Sequence, residues 1–483
     1  MKSIKQVFND AQVINKNEIH EECGVFGVYG VEDAAVFTYY GLHALQHRGQ
    51  EGCGIAAMDH NQMEIHKGKG LVSEVFHDPR MAELTGDIAI GHVRYSTAGG
   101  NEMANIQPLF ANLLQHQFAV VHNGQIVNAK ELRMRLEKQG SIFQGTSDSE
   151  IILHLIQRSK GSFLTRIKNA FRQLEGAYAC LILCEEGIFA IRDHHGLRPL
   201  SYAQLHDGYI ISSESCAFDM LNADIPHDIK PGEIIWFHRE GIHKDCYRIA
   251  EGCHLCAMEY IYFARPDSVL DGINVHEARV KTGICMAKKD RDRNLTADIV
   301  IGVPDSSISA AIGYAKESGL PYEIGLIKNR YVGRTFIQPT QKQRERGVRM
   351  KLSAIRAIVA DKRVVLIDDS IVRGTTSRRI VQLLKEAGAK AVHVRIASPP
   401  IIYPCFYGVD TSSFEELICT RMNCDELNQF LKADSLQFMG IADLIESYHS
   451  NSLCVACFNG QYATKLFSYG EIINTYQNNP IKK

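Results

Sequence analysis

Two dissimilar halves are expected: an α+β first half rich in antiparallel pairing, then an α/β half on a parallel sheet. Three observations carry this. Up to about residue 250 the chain reads as short apolar runs parted by Gly-bearing turns. From about residue 297 it repeats strand, turn and helix, in ADIVIGVPDSSISAAIGYAKESG and KRVVLIDDSIVRGTTSRRIVQLLKEAGAKAVHVRIASPP. The strands of these repeats are continuously apolar, as a sheet covered on both faces requires, and ligands are expected beyond their C-terminal ends.

In the first half the expected strands are CGVFGVYG, CGIAAMD, DIAIGHVRY, QFAVVHNGQI, AYACLILC, GIFAIRD and GYIISSES. Helical patterns interrupt them at AVFTYYGLHALQHRGQE and SEIILHLIQRS. The strand signal weakens after IKPGEIIWFHREGIHKDCYRI, which places a boundary near residue 250. The expected organisation is a leader over residues 1–22, a first domain over 23–250 and a second over 251–483. A chain of 483 residues is too long for one core.

Hydrophobic content of 45% and charge of 22% are ordinary for a folded protein. A net charge of -2 gives no reason to expect nucleic acid or an anionic membrane as partner. No apolar run approaches the roughly 18 residues that span a bilayer. The leader holds isolated Val, Ile and Phe without a continuous apolar stretch, so it reads as a tail or a propeptide and not as a secretory signal. Fourteen cysteines then suggest thiols and metal ligands in the cytoplasm, not a disulfide framework. Cys180, Cys184 and Cys216 lie in apolar surroundings and read as core.

The sharpest motif is VVLIDDSIVRGTTS, Val364 to Ser377. An apolar strand delivers Asp368 and Asp369 to its C-terminal end. Ser370, Ile371, Val372, Arg373, Gly374, Thr375 and Thr376 form a loop before a helix expected to begin near Ser377. Backbone N–H groups and hydroxyls there suit a phosphate monoester. The paired carboxylates suit the vicinal hydroxyls of a ribose or Mg²⁺. No GxxxxGK[ST] is present, so this is not a Walker loop. The motif resembles the signature of phosphoribosyltransferases that use phosphoribosyl pyrophosphate (PRPP). That resemblance implies a pyrophosphate loop at GVPDSS, with Asp305 contacting PRPP and Ser306 the metal, and it implies a PRPP contact at Lys328. The segment Ile327 to Leu352 is rich in Arg, Lys, Gln and Gly. Its charge alone fits a solvated surface equally well; beside a pyrophosphate site it reads as a cationic flap.

In the first half, polar clusters stand at strand ends: Arg94 and Thr97, His122 with Asn123 and Gly124, and Thr146 with Ser147 and Asp148. Hydrolysis of a glutamine side-chain amide needs a nucleophile, a base, an oxyanion hole, a cation for the α-carboxylate and an anion for the α-ammonium. Cys23 is either core filler or a nucleophile that leader removal makes N-terminal, its α-amine then serving as base with a pKa of about 7.7–8.0. Asn123 and Gly124 suit the oxyanion, Arg94 the carboxylate and Asp148 the ammonium. ECGVFGV, LQHRGQEGCGIA, GHVRYSTAGG and HNGQI resemble the class II glutamine amidotransferase domain. That resemblance implies an N-terminal-nucleophile hydrolase of αββα type with Cys23 as nucleophile, and Thr97 joins the glutamine-binding set.

CVAC carries Cys454 and Cys457, with Cys405 in YPCFYG and Cys253 and Cys256 in CHLCAMEY upstream. From spacing alone such a set holds zinc, an iron–sulfur cluster or nothing. Nearly the whole chain resembles the amidophosphoribosyltransferase family, through MEYIYFARPDS, GINVHEAR, KNRYVGRTFIQP and PPIIYPCFYG. One branch of that family has a propeptide and a [4Fe–4S] cluster. The resemblance to it implies Cys256, Cys405, Cys454 and Cys457 as ligands, with Cys253 the rival first ligand, Cys246 a bystander and Cys285, Cys419 and Cys424 structural. It further implies amide transfer from glutamine to PRPP, giving 5-phosphoribosylamine, pyrophosphate and glutamate in purine synthesis. An ammonia channel, Mg²⁺, inhibition by purine nucleotides and a homotetramer come with it. Two rivals are a hexose-phosphate amidotransferase, which leaves VVLIDDSIVRGTTS unexplained, and a non-catalytic PRPP- or nucleotide-responsive regulator, whose mark would be lost catalytic residues.

Overall fold

A computed structural model describes residues 23–77, 81–95, 102–113, 116–250, 252–329, 352–411, 413–448 and 453–478. The leader, Thr97 and most of the Ile327 to Leu352 segment lie outside the described residues.

The first half stacks two antiparallel sheets. One has seven strands in the order His227–Asp228, Ser201–Leu205, Gly208–Ser212, Gly24–Tyr29, Ile88–Arg94, Gly52–Asp59 and Gln62–Lys69. The other has six, in the order Gly241–Cys246, Glu233–His238, Gly187–Arg192, Gly176–Cys184, Gln117–Ile126 and Leu109–Asn112. Side chains alternate across each strand, so two-sided burial follows directly. Val25, Ile90, Val121, Leu181 and Ile211 fill the space between the sheets. Phe26 and Val28 face the other way, onto the helix Ala34–Ala44. Val120 and Ile182 face Ile152 of Glu150–Arg158 and Phe171 of Phe163–Phe171. The result is the expected αββα layering.

All seven expected strands form. The first helical pattern stops at Ala44, earlier than its periodicity suggests, because the chain must turn before Gly52–Asp59. Gly49 in that turn lies so close to the neighbouring strand that a Cβ would sit 2.7 Å from Arg94 N. Strand Gln62–Lys69 went unanticipated because it is a polar edge with mostly half-buried or exposed side chains.

The second half holds a four-stranded parallel sheet, Ile299–Gly302, Arg363–Asp368, Ala391–Ile396 and Ser435–Phe438 in spatial order. Ile299, Ile301, Val364 and Leu366 pack on one face with Ile380 and Leu384 of Thr375–Glu386. Val300, Val365 and Ile367 pack on the other, with Met286 of Val275–Asp292 and Tyr314 of Ile308–Ser318. Each such side chain contributes roughly 1.5–3 kcal/mol of burial. Both sheet faces are therefore apolar, and polar chemistry is left to the strand ends.

Candidate active sites and a cysteine cluster

Cys23 opens the strand Gly24–Tyr29, and its Sγ lies 3.5 Å from the Tyr95 carbonyl. Burial pushes the thiol above its ordinary value, Arg94 and Arg48 pull it back, and Asp148 adds to the rise. Cys23 thus shares one electrostatic neighbourhood with the two residues assigned to the ends of glutamine. Arg94 is itself buried and donates through Nη1 to Asn105 O at 2.9 Å. The Oδ2 of Asp148 accepts the Ile126 N–H at 2.8 Å, which orients the carboxylate.

A buried polar network sets these positions. His92 Nε2 donates to His122 O at 3.1 Å, joining the strand that ends at Arg94 to the one that carries Asn123. Burial holds both imidazoles neutral, His92 also through Arg94. Gln107 Oε1 accepts the His122 N–H at 2.6 Å, and His122 Nδ1 lies 2.8 Å from Ser149 Oγ. Asn105 Oδ1 accepts the Thr146 and Ser147 N–H groups at 2.9 and 3.0 Å, shaping the turn that holds Asp148. Asn123 is fully buried, yet neither its Nδ2 nor its Oδ1 has a hydrogen-bond partner. Such an orphaned, buried amide leaves its hydrogen-bonding capacity unused in the ligand-free protein. Asn105, Gln107 and Ser149 were missed in the sequence, where isolated polar residues next to loops carry no signal.

At the second site Asp368 ends the strand Arg363–Asp368, and Asp369 follows it; both are buried. Ser377 Oγ donates to Asp368 Oδ2 at 3.2 Å and Ser370 Oγ to Asp369 Oδ1 at 2.7 Å, while Ser306 Oγ donates to Asp369 Oδ2. This contact joins the GVPDSS loop to the acid pair. Burial and the Asp369 charge push Asp368 up to about 8, and burial raises Asp369 as well. The pair therefore keeps a proton near neutrality until a cation or hydroxyl donor arrives. The helix begins at Thr375, two residues before the expected Ser377, because Gly374 already caps it with φ +74°. Thr375, Thr376 and Ser377 thus form the helix's first turn, where N–H groups are unpaired within the helix. Arg373 is tied to Glu416 at 3.0 Å, and Lys328 to Asp305 at 3.5 Å, so both cations are countered within the protein.

Cys256, Cys405, Cys454 and Cys457 line one cavity, with Tyr407 and Tyr462. Cys256 and Cys454 are register partners in a short parallel pair of strands. Tyr407 N–H points to Cys405 Sγ at 3.3 Å. Burial pushes Cys454 up to about 12 and Cys256 and Cys457 well above the usual thiol range, with neighbouring thiols adding to it. Cys253 does not line the cavity; its Sγ donates to Asp271 Oδ2 at 3.3 Å.

Arg48 joins the two halves. Its Nε donates to Cys23 O at 3.2 Å, and its two terminal nitrogens donate to Glu259 Oε2 and Oε1 at 3.0 and 2.8 Å. Glu214 takes Arg48 Nη1 at 2.5 Å, and Arg198 reaches Glu259 Oε1 at 3.3 Å and Tyr407 O. All four charged side chains are fully buried. Arg48 lies inside the LQHRGQEGCGIA motif, yet only three-dimensional proximity shows what it holds.

Known proteins agree with this architecture. Residues 92–220 match the glutamine amidotransferase domain family, and residues 273–399 match the phosphoribosyl transferase domain family. Amidophosphoribosyltransferase of Bacillus subtilis (strain 168) is 52% identical over 458 residues, 93% of this chain and 95% of that protein. The enzyme of the same name from Staphylococcus aureus (strain MRSA252) is 47% identical over 466 residues, covering 95% and 94% of the two chains. Among solved structures, glutamine PRPP amidotransferase from B. subtilis complexed with ADP and GMP matches with TM-score 0.87 and 51% identity, over 92% of this chain and 98% of that one. A structure described as the allosteric regulatory enzyme of purine biosynthesis matches with TM-score 0.88 and 52% identity, over 92% and 97%. The protein is accordingly an enzyme of glutamine–PRPP amidotransfer in purine biosynthesis, and the regulator reading is not favoured. The chain belongs to the amidophosphoribosyltransferase family.

Proposed function

We propose that residues 1–22 are removed as a propeptide and that Cys23, with its freed α-amine, is the glutaminase nucleophile. Residues 23–250 and 251–483 are the two catalytic domains in this reading. The observation that carries it is the convergence of Cys23, Arg94 and Asp148 on one buried neighbourhood. Arg94 receives the glutamine α-carboxylate, Asp148 the ammonium, and Thr97 completes the pocket. The α-amine takes the thiol proton as Sγ bonds to the amide carbon, and that proton passes to the departing nitrogen to give ammonia. Asn123 Nδ2 and Gly124 N–H hold the oxyanion. Water then cleaves the γ-glutamyl thioester to glutamate. Ammonia attacks C1 of PRPP and pyrophosphate leaves; passage inside the protein keeps the ammonia unprotonated.

Ser370, Arg373, Gly374, Thr375, Thr376 and Ser377 bind the 5′-phosphate side of PRPP, with Asp305 and Lys328 toward the pyrophosphate. Ser306, Asp368 and Asp369 would hold Mg²⁺, which when bound offsets the charge of the leaving pyrophosphate. The acid pair that keeps a proton fits such a cation. Cys256, Cys405, Cys454 and Cys457 would hold a [4Fe–4S] cluster, which when bound crosslinks three separate chain segments. Four thiols on one buried cavity, with an N–H aimed at a sulfur, fit that group, and the position of Cys253 beside Asp271 supports Cys256 as first ligand. The relatives' ADP, GMP and allosteric descriptions support purine nucleotide inhibition here. A cytoplasmic homotetramer without nucleic-acid or membrane partner completes the reading. Among the described residues no helix is long and apolar enough to cross a membrane.

Intact mass and iron content of protein purified without oxygen test this. A mass short by residues 1–22 with about four irons per chain is expected. An uncut chain that hydrolyses glutamine overturns the nucleophile assignment, and a colourless, iron-free active chain overturns the cluster.

A further inference from the structure

A cluster of ligand-bearing side chains outside the residues named for either reaction has no role in the chemistry above. The chain leaves the strand Gly187–Arg192 through Asp193, His194 and His195 and turns at Gly196, whose N–H donates to Asp193 O at 2.9 Å. His194 is 0% exposed, yet neither of its ring nitrogens has a hydrogen-bond partner. A neutral imidazole carries one N–H and one lone pair, and leaving both unmet in the interior costs the fold stability. The group that faces it is Glu175, whose Oε2 lies 3.7 Å from His194 Nε2, beyond hydrogen-bond length. His195 stacks beside it, ring centroids 4.0 Å apart, and is 4% exposed.

One donor atom from each of Glu175, His194 and His195 lies within 4.8 Å of the other two. We propose that these three side chains form a further metal site for a divalent ion of the zinc class, separate from the PRPP loop and the cysteine cavity. Two imidazoles and a carboxylate, with solvent completing a tetrahedron, suit zinc better than magnesium or calcium, which take oxygen sets. Bonds of about 2.0–2.1 Å require the three donors to draw closer on binding. The Glu175 carboxylate is already oriented toward the imidazoles, because Arg248 Nη1 holds Oε1 at 2.5 Å and so directs Oε2 toward His194. The unpartnered ring of His194 can offer a lone pair to such an ion. The Glu175 side chain, 22% exposed, gives the ion a way in.

The site sits where it can fasten the two halves together. His195 O accepts the His254 N–H at 2.6 Å, and Leu197 O accepts the Cys256 N–H at 3.2 Å. An ion on His194 and His195 would stiffen the turn against which the strand leading to the cysteine cavity is laid.

Zinc uptake by the holoenzyme, purified without oxygen and equilibrated with micromolar zinc, tests the site. The parent is expected to retain about one zinc per chain, with a shell of nitrogen and oxygen alone in the zinc-edge X-ray absorption spectrum. His194→Gln and Glu175→Gln should each weaken retention at least about 10-fold while glutamine-dependent turnover stays at the parent's level. Sulfur in the zinc shell would assign the ion to the cysteines and overturn the proposal. So would failure of the parent to retain zinc, or equal retention by both variants; the parent's spectrum decides even if a variant does not fold.

Discussion

At the proposed glutamine centre the groups come from positions 23, 94, 123 and 148, four chain segments that meet only through the stacked sheets; at the proposed PRPP loop Asp368 to Ser377 are continuous. The scattered site is held by hydrogen bonds among buried neutral groups, Asn105, Gln107, His122 and Ser149. The continuous site is held by a strand end and a helix start, and at its centre two carboxylates oppose each other. The first is shaped before its ligand arrives, with an orphaned Asn123 amide inside it. The second carries an electrostatic conflict that a retained proton relieves until a ligand takes its place.

Separate chemistry should make the two sites separable in kinetics. In Cys23→Ala, glutamine-dependent product formation is expected to fall about 10³-fold or more, while ammonia-dependent formation stays within about twofold. Equal loss of both rates would break the comparison. Asp368→Asn should cut kcat/KM for PRPP by about 10²-fold with either nitrogen source. Its effect on stability has the opposite sign. Asp368 titrates higher in the folded protein than in the unfolded chain, so charging it weakens the ligand-free fold as pH rises from the unfolded carboxylate range toward about 8. The variant should therefore melt higher than the parent at pH 8 in differential scanning calorimetry, with the gap closing as the pH falls. Ser149→Ala removes the hydroxyl beside His122 and Gln107, and about 1 kcal/mol of lost hydrogen bonding corresponds to roughly a fivefold drop in glutaminase rate. Ammonia-dependent synthesis should not change. Smallest is a proton: binding of Mg–PRPP at pH 7 should release about one, read by calorimetry in MOPS against Tris. No release would mean that the acid pair is already ionised without ligand.

The same contrast explains what could be read without coordinates. VVLIDDSIVRGTTS carries its geometry locally, since an apolar run, two acids, a glycine and hydroxyls follow one another. Only the helix start was misplaced, by two residues, because the Gly374 cap acts earlier than the hydroxyl run suggests. Cys23, Arg94 and Asp148 could be singled out in the sequence, and the fold sets them near one another; Asn105 and Ser149 could not, because their contacts depend on loops meeting across the sheets. The polar edge strand Gln62–Lys69 escaped because periodicity is weak where neither face is fully buried. The choice between Cys253 and Cys256 was open in the sequence. In the fold they part, one beside Asp271 and the other on the cavity wall.

Arg48, Arg198, Glu214 and Glu259 have a consequence for how such a protein can be taken apart. Their charges cancel only when both halves are present, since residues 23–250 contain the two arginines and Glu214 but not Glu259. A glutaminase half cut out alone would carry a surplus cation in its interior, and the other half would bare an acid meant to be enclosed. The pair is therefore a poor source of interchangeable cassettes: a foreign phosphoribosyltransferase could be grafted onto this amidotransferase only if it brought a glutamate to the same point.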